Sequence, residues 1–199
     1  DTLRVFSNTS SMKNIFIISG AAGSGKDSVI DGLQSLLPLN RIITTTSRAM
    51  RPTESEGQPY YFVSPEVFKQ SIEANEFVEY SVNENGGLYG VTKTELERVS
   101  ALTDIAIWRV DWKGVVSIKE LYPEIPAIYI SAPLEILEKR LRTRDAGKDE
   151  HYFEERMAYT REWLKHLDIY DYRVENEEGA LEQTIERVAR IITEHQDQH

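Results

Sequence analysis

The sequence predicts an α/β fold in which helices flank a parallel sheet, and two observations carry that expectation. Strand-sized apolar and β-branched runs recur along the chain at Asn14–Ser19, Asp104–Val110, Ala127–Ser131 and, more briefly, near Tyr172–Glu175. Between and after them lie segments of helical period. In Lys26–Leu37 the apolar residues are Val29, Ile30, Leu33, Leu36 and Leu37, with Pro38 closing the run, and near the end Leu181, Ile185, Val188 and Ile192 repeat the spacing. Pro133, tolerated in a first helical turn, opens a further helix over Leu134–Leu141.

Two stretches break the alternation. Residues 44–93 hold Gly57, Pro59, Gly86, Gly87 and Gly90 among short aromatic strands, Tyr60–Val63 and Phe77–Tyr80, with one helix around Pro65–Ile72. They read as a small α+β lobe inserted into the core. Residues 142–151, charged and containing Gly147, read as a mobile loop between helices. The first eleven residues lack the apolar centre of a secretory signal and read as an extension, 1–11, ahead of a domain over 12–199. The C-terminal EHQDQH reads as a polar, frayed end.

Composition narrows the function. A formal charge of −10 over 199 residues weighs against a nucleic-acid partner, which calls for a basic face. A small anionic substrate needs only a few local Arg and Lys. No apolar run approaches the ~20 residues that span a bilayer, so no membrane partner is expected. The absence of cysteine excludes a disulfide framework or thiolate metal site and suits the cytoplasm, and the four histidines form no ligand pattern.

The strand ending at Gly20 leads directly into Gly20-Ala-Ala-Gly-Ser-Gly-Lys26 and then a helix. In that context a glycine-rich loop is a phosphate cradle. Its glycines let successive backbone N–H groups converge on an anion, the helix N-terminus adds its dipole, and Lys26 brings a mobile positive charge. Ala22, Gly23, Ser24, Gly25, Lys26, Asp27 and Ser28 are therefore the candidate ATP-phosphate residues, and the sheet is expected to be of the P-loop NTPase type. One position departs from the pattern. A Mg²⁺-binding Ser or Thr hydroxyl is expected after the lysine, yet Asp27 stands there, and Ser28 points about 100° away on a helix. A carboxylate is a good Mg²⁺ ligand. Without the metal it would repel phosphate by roughly 3 kcal/mol at about 5 Å and an effective dielectric of about 20. Asp27 is the candidate metal contact, direct or through water; an acid facing away from the site is the alternative.

The inserted lobe carries a second phosphate chemistry. Arg48 and Arg51 are two guanidinium forks suited to clamping a phosphate, and Tyr60 and Tyr89 can each donate an O–H to it. Glu79 is an acid in an aromatic strand. Guanine offers N1–H and N2–H₂ side by side, a pair that one carboxylate can accept and that adenine lacks. The ordered set Thr44-Thr-Thr-Ser-Arg48-Ala-Met-Arg51-Pro, Glu54, Gly57, Tyr60, Phe62-Val-Ser64, Phe77-Val-Glu79-Tyr80 and Tyr89-Gly90 resembles the monophosphate lobe of guanylate kinases. Val110-Asp111-Trp-Lys-Gly114, Lys139–Arg144 and Val174-Glu175-Asn176 extend the resemblance from about Asn14 to about Ile192.

That resemblance implies ATP and GMP as substrates, Mg²⁺ with the ATP, and transfer of the γ-phosphoryl group to GMP. It assigns Thr44, Glu79 and Asp111 to the guanine. Arg48, Arg51, Tyr60 and Tyr89 fall to the GMP phosphate. Arg140 and Asn176 fall to the donor adenine, while Arg144 and Arg156, with Lys26 and Arg48, form the catalytic set. It also implies a core of residues 12–43, 94–136 and 157–199, a monophosphate lobe at 44–93 and a lid at 137–156, in a monomer or homodimer. Val91 stands where the family usually has Ser or Thr, and Asn83–Gly87 carries one extra residue. Two other readings are open: a phosphonate-pathway ribosyl bisphosphate kinase, which often shares Lys-Asp-Ser as at Lys26–Ser28, and a non-catalytic guanylate-kinase-like binding module.

Overall fold

The structure, a computed structural model, describes residues 12–52, 54–82 and 86–198. The expected extension over 1–11 and most of the Asn83–Gly87 turn lie outside them. The described residues form two compact units, one from 12–15 with those of 40–108, the other from 16–39 with 109–198.

In the second unit β1 (Ile15–Ser19), β9 (Ala127–Ser131) and β10 (Tyr172–Glu175) run parallel with β9 in the middle; Ile17 faces Ala127, and Tyr172 faces Ile128. All five residues of β1 are buried. Both faces are covered, which is why the strand reads as a continuous apolar run. Around it lie α1 (Lys26–Leu33), α4 (Trp112–Leu121), α5 (Leu134–Arg144), α6 (Glu150–Trp163) and α7 (Leu181–Asp197), with a 3₁₀ turn at Leu164–Ile169. Gly32 lets α1 approach α7 closely, because a Cβ there would meet Ile185.

The first unit holds all but the last residue of β8 (Ile105–Arg109) beside all but the first residue of β2 (Leu39–Arg41), and the Ile42 amide donates to Ile107 at 3.0 Å. It also holds a second, mixed sheet in the order β4 (Ser55–Glu56), β5 (Pro59–Phe62), β3 (Thr44–Thr46), β7 (Leu88–Thr92), β6 (Phe77–Val82). β4, β5 and β3 run parallel, and β7 is antiparallel to both β3 and β6. Two helices, α2 (Pro65–Glu73) and α3 (Lys93–Ser100), complete the unit. Ser64 and Thr92 cap them, their hydroxyls accepting from Val67 and Glu95 amides at 3.2 Å each. Buried Glu95 is paired with Arg98 at 2.8 Å and accepts the Ile43 amide at 2.7 Å, so its charge is satisfied inside.

Three expectations change. Helix α1 ends at Leu33, four residues early, where Ser35 turns its hydroxyl back onto the Gly32 carbonyl at 2.7 Å. The break between α5 and α6 shrinks to residues 145–149, since Arg142 bridges Glu138 and Glu150 and Asp149 caps α6 through the Tyr152 amide. Helix α7 continues to Asp197 where a frayed end was expected. His195 anchors it, with its ring edge-on to Phe16 at 5.6 Å and its Nδ1 3.4 Å from the Tyr172 hydroxyl. Among the described residues no helix is long and apolar enough to cross a membrane.

Phe68 of α2 is fully buried and stacks on Phe77 at 4.3 Å between centroids. Phe68→Ala is expected to destabilise the first unit by about 3–5 kcal/mol, measured by chemical denaturation followed through hydrogen exchange of β6 and β7 amides.

Candidate nucleotide-binding site

The glycine-rich loop of the second unit is held from behind. Gly23 and Gly25 take left-handed backbone (φ 84° and 83°), so a side chain at either would be strained. At Gly25, the N-cap of α1, a Cβ would also strike the Asn176 amide. Asn176 is buried: its Nδ2 donates to the Ser24 carbonyl at 2.8 Å and its Oδ1 accepts from Thr184 at 3.2 Å. Arg140 donates to the Gly23 carbonyl at 3.3 Å and the Asn176 carbonyl at 3.2 Å. Ala22 packs on the Leu141, Phe153 and Met157 cluster of α5 and α6. The Gly23 and Ser24 carbonyls are thus tied down, while the Ser24 amide donates to the Ala21 carbonyl at 3.1 Å and the Lys26 amide to the Ser24 hydroxyl at 3.4 Å. Ser28 is exposed on α1.

Charge gathers at the loop. Lys26, 18% exposed, has its pKa lowered to about 8, chiefly because burial penalises its charge. Asp27 pulls it up, and Arg109, Arg144 and Arg156 push it down. Asp27 Oδ1 accepts from Arg109 at 2.7 Å, and its Oδ2 lies 3.9 Å from the Lys26 ammonium. Arg144 makes a two-point contact with Asp145 at 2.8 Å each, and Asp145 also accepts from the Tyr152 hydroxyl at 2.6 Å. The Arg144 bonds hold the Asp145 carboxyl down at about 2. The Arg156 guanidinium lies over the Tyr152 ring at 5.4 Å. Asp111 caps α4 through the Gly114 amide at 2.9 Å and accepts from the Tyr159 hydroxyl at 3.0 Å.

The remaining predicted residues, Thr44, Arg48, Arg51, Tyr60, Glu79 and Tyr89, belong to the first unit. Sheet register brings three of them into one row. Tyr60 pairs with Thr44, one step from the Thr45–Gly90 pair Thr44 faces Val91, and Val91 pairs with Glu79. Paired residues share a face, so Tyr60, Thr44 and Glu79 share one, with Tyr89 two residues from Val91 on the same side. Glu79 is 7% exposed, and Val91, which sits in that row, is fully buried. The hydroxyl next door, on Thr92, is used as the cap of α3.

Arg48 is seated among aromatics, 5.4 Å from the Tyr60 ring and 5.6 Å from that of Phe62, and Tyr60 meets Tyr89 edge-on at 5.8 Å. Glu54 grips Arg48 with both oxygens, at 2.7 and 3.0 Å, and accepts the Arg51 amide at 2.8 Å. The Glu54 bond, then the Tyr89 hydroxyl, raise the Arg48 pKa further, and the Arg48 bond lowers that of Glu54. The arginine is thus a fixed, permanently charged fork. The Arg51 side chain is exposed.

Sequence reasoning quoted Glu54 in the lobe motif without giving it a role, and it missed two supporting residues. Arg109 carried a signal, a charge ending an apolar strand. Thr184 carried none, because its role depends on where Asn176 comes to lie.

A glycine-rich loop that joins a buried parallel strand to a helix opening on Lys26, in a chain that also bears a buttressed arginine, suits a nucleotide-binding α/β protein. The family model for guanylate kinase matches residues 12–195. A guanylate kinase from Idiomarina loihiensis is 36% identical over 83% of this chain and 80% of its own length. One from Porphyromonas gingivalis is 35% identical over 91% of this chain and 99% of its own. The crystal structure of guanylate kinase from Anaplasma phagocytophilum superposes with a TM-score of 0.73 at 26% identity, over 92% of this chain and 86% of that one. The chain belongs to the guanylate kinase family.

The lysine supplies a stability test. Its folded pKa of about 8 lies below the ordinary 10.5, so between those values the unfolded chain binds more protons and stability rises with pH. Below that window the full cost of the buried charge is present. Lys26→Met is therefore expected to stabilise the nucleotide-free protein by about 1–3 kcal/mol at neutral pH, with the gain fading toward pH 10.5. Denaturation at both ends of the window measures it, and the same variant should lose ATP binding in calorimetry.

Proposed function

We propose that the chain transfers the γ-phosphoryl group of ATP to GMP, giving ADP and GDP, by in-line attack of a GMP phosphate oxygen without a covalent enzyme intermediate. Phosphoryl transfer of this kind is mostly positioning and charge stabilisation. The loop amides of residues 22–28 and Lys26 take the ATP phosphates. Arg48, with Arg51, Tyr60 and Tyr89, takes the GMP phosphate. Glu79 accepts guanine N1–H and N2–H₂, with Thr44 and Asp111 completing the base contacts. Arg144 and Arg156 neutralise the migrating group. Arg140 and Asn176 brace the loop carbonyls on the adenine side of the donor site.

Mg²⁺ suits the donor set. No group of three His, Cys, Asp or Glu among the described residues could hold a metal, and Mg²⁺ in such enzymes relies on nucleotide phosphates, waters and one or two carboxylates. Asp27 would hold it, and when bound the ion would spread the phosphate charge. In this reading residues 44–93 form the monophosphate lobe and 137–156 the lid, on a core of 12–43, 94–136 and 157–199. The chain would act in the cytoplasm as a monomer or homodimer, with ATP and GMP as partners and neither nucleic acid nor membrane among them.

The observation that carries the acceptor is the single row Tyr60–Thr44–Val91–Glu79 with its buried carboxylate. A panel of GMP, dGMP, AMP, CMP, UMP and ribose bisphosphate, each read by ADP release, tests it. GMP and dGMP should turn over; comparable turnover of AMP or ribose bisphosphate overturns the assignment. Glu79→Gln should lower kcat/KM for GMP by roughly 10–100-fold while leaving the KM for ATP unchanged.

A further inference from the structure

The phosphate loop carries a carboxylate its task does not call for. Asp27 follows Lys26 in the first turn of α1, with its side chain 53% exposed. An uncompensated carboxylate about 5 Å from a phosphate would weaken binding on the order of a hundredfold at an effective dielectric of about 20. The same structure supplies an opposing charge. Arg109 is the last residue of β8, after the four buried residues Ile105–Trp108. From there Nη1 reaches Asp27 Oδ1 at 2.7 Å, with the arginine side chain 29% exposed.

The other two cations that press on Lys26 are held differently. Arg144 is gripped by Asp145, and Arg156 lies on Tyr152. Arg109 is paired with Asp27, and it pulls the lysine opposite to that acid.

We propose that Arg109 is the internal counter-ion of Asp27, and that the two act as one unit that keeps the donor loop receptive to a nucleoside triphosphate whether or not a divalent cation accompanies it. This rests on the reading of the loop as the donor site. Arg109 is then a positioning residue: it works through Asp27, holding one carboxylate oxygen and leaving Oδ2 on the side of Lys26. A divalent cation arriving with the phosphates would offset the same carboxylate. Arg109 should therefore matter most when that cation is absent.

Calorimetric titration of ATP, in EDTA and in excess Mg²⁺, tests this on the wild type, Arg109→Met, Asp27→Asn and the double variant. Thermal melts and Arg109→Lys, which keeps the charge and should retain most of the affinity, control for folding. Arg109→Met should weaken ATP binding on the order of tenfold in EDTA and clearly less in Mg²⁺. The loss should shrink or vanish in the Asp27→Asn background. An equal loss in both backgrounds would make Arg109 an independent phosphate ligand and overturn the proposal, as would no loss in either. A folded wild type that binds no ATP overturns the donor-site reading itself, and the proposal with it.

Discussion

A lysine buried among arginines at the glycine-rich loop is the feature around which the second unit is arranged. Burial is the chief reason that Lys26 holds its proton weakly; Asp27 opposes it, and Arg109, Arg144 and Arg156 each lower the lysine's affinity further. In a chain of formal charge −10 such a gathering is not accidental solvation. In the proposed reading it costs stability in the free protein and would be offset by a bound polyphosphate, the general logic of an electrostatically preorganised site. Each cation is anchored by a separate device. Arg144 has Asp145, Arg156 has the Tyr152 face, Arg109 has Asp27, and Lys26 rides on a loop whose carbonyls are tied by Asn176 and Arg140.

The first unit solves a different problem, holding one arginine and one carboxylate apart in largely apolar surroundings. Glu54 satisfies Arg48 with a two-point bond, so the fork keeps its orientation before any substrate arrives. Glu79 is placed by its pairing with Val91, just after a register shift between Phe77 and Glu79 in the β6–β7 ladder. A one-residue slip of β6 against β7 would turn it to the opposite face. Gly90 guards that register: a Cβ there would lie 2.6 Å from the Glu79 carbonyl. The glycine after Tyr89 thus has a packing reason that needs no appeal to flexibility.

Much of this was legible from the residues, for identifiable reasons. The parallel strands announced themselves because both faces of β1 and β9 are buried, so no polar alternation diluted the signal. The loop was legible because glycine spacing, strand and helix agree. Strands β2, β3 and β4 were not, being three, three and two residues long and dependent on tertiary pairing. The span 142–151 looked like loop because its charges suggested solvent, whereas Arg142, Glu138 and Glu150 pair along α5 and across to α6. Val91 looked like a lost hydroxyl; its complete burial explains an apolar residue there. Asp27 looked anomalous because its partner lies 82 positions away, beyond any local pattern.

The protonation of Lys26 reports on the central claim that cations are massed at this loop to await phosphate. Its pKa, followed through the side-chain carbon shift in a selectively labelled sample, is expected near 8 in the free protein. Saturating ATP should raise it toward or beyond the ordinary lysine value as the anion offsets the arginines. A free-protein pKa already at 10.5, unmoved by ATP, would contradict the account.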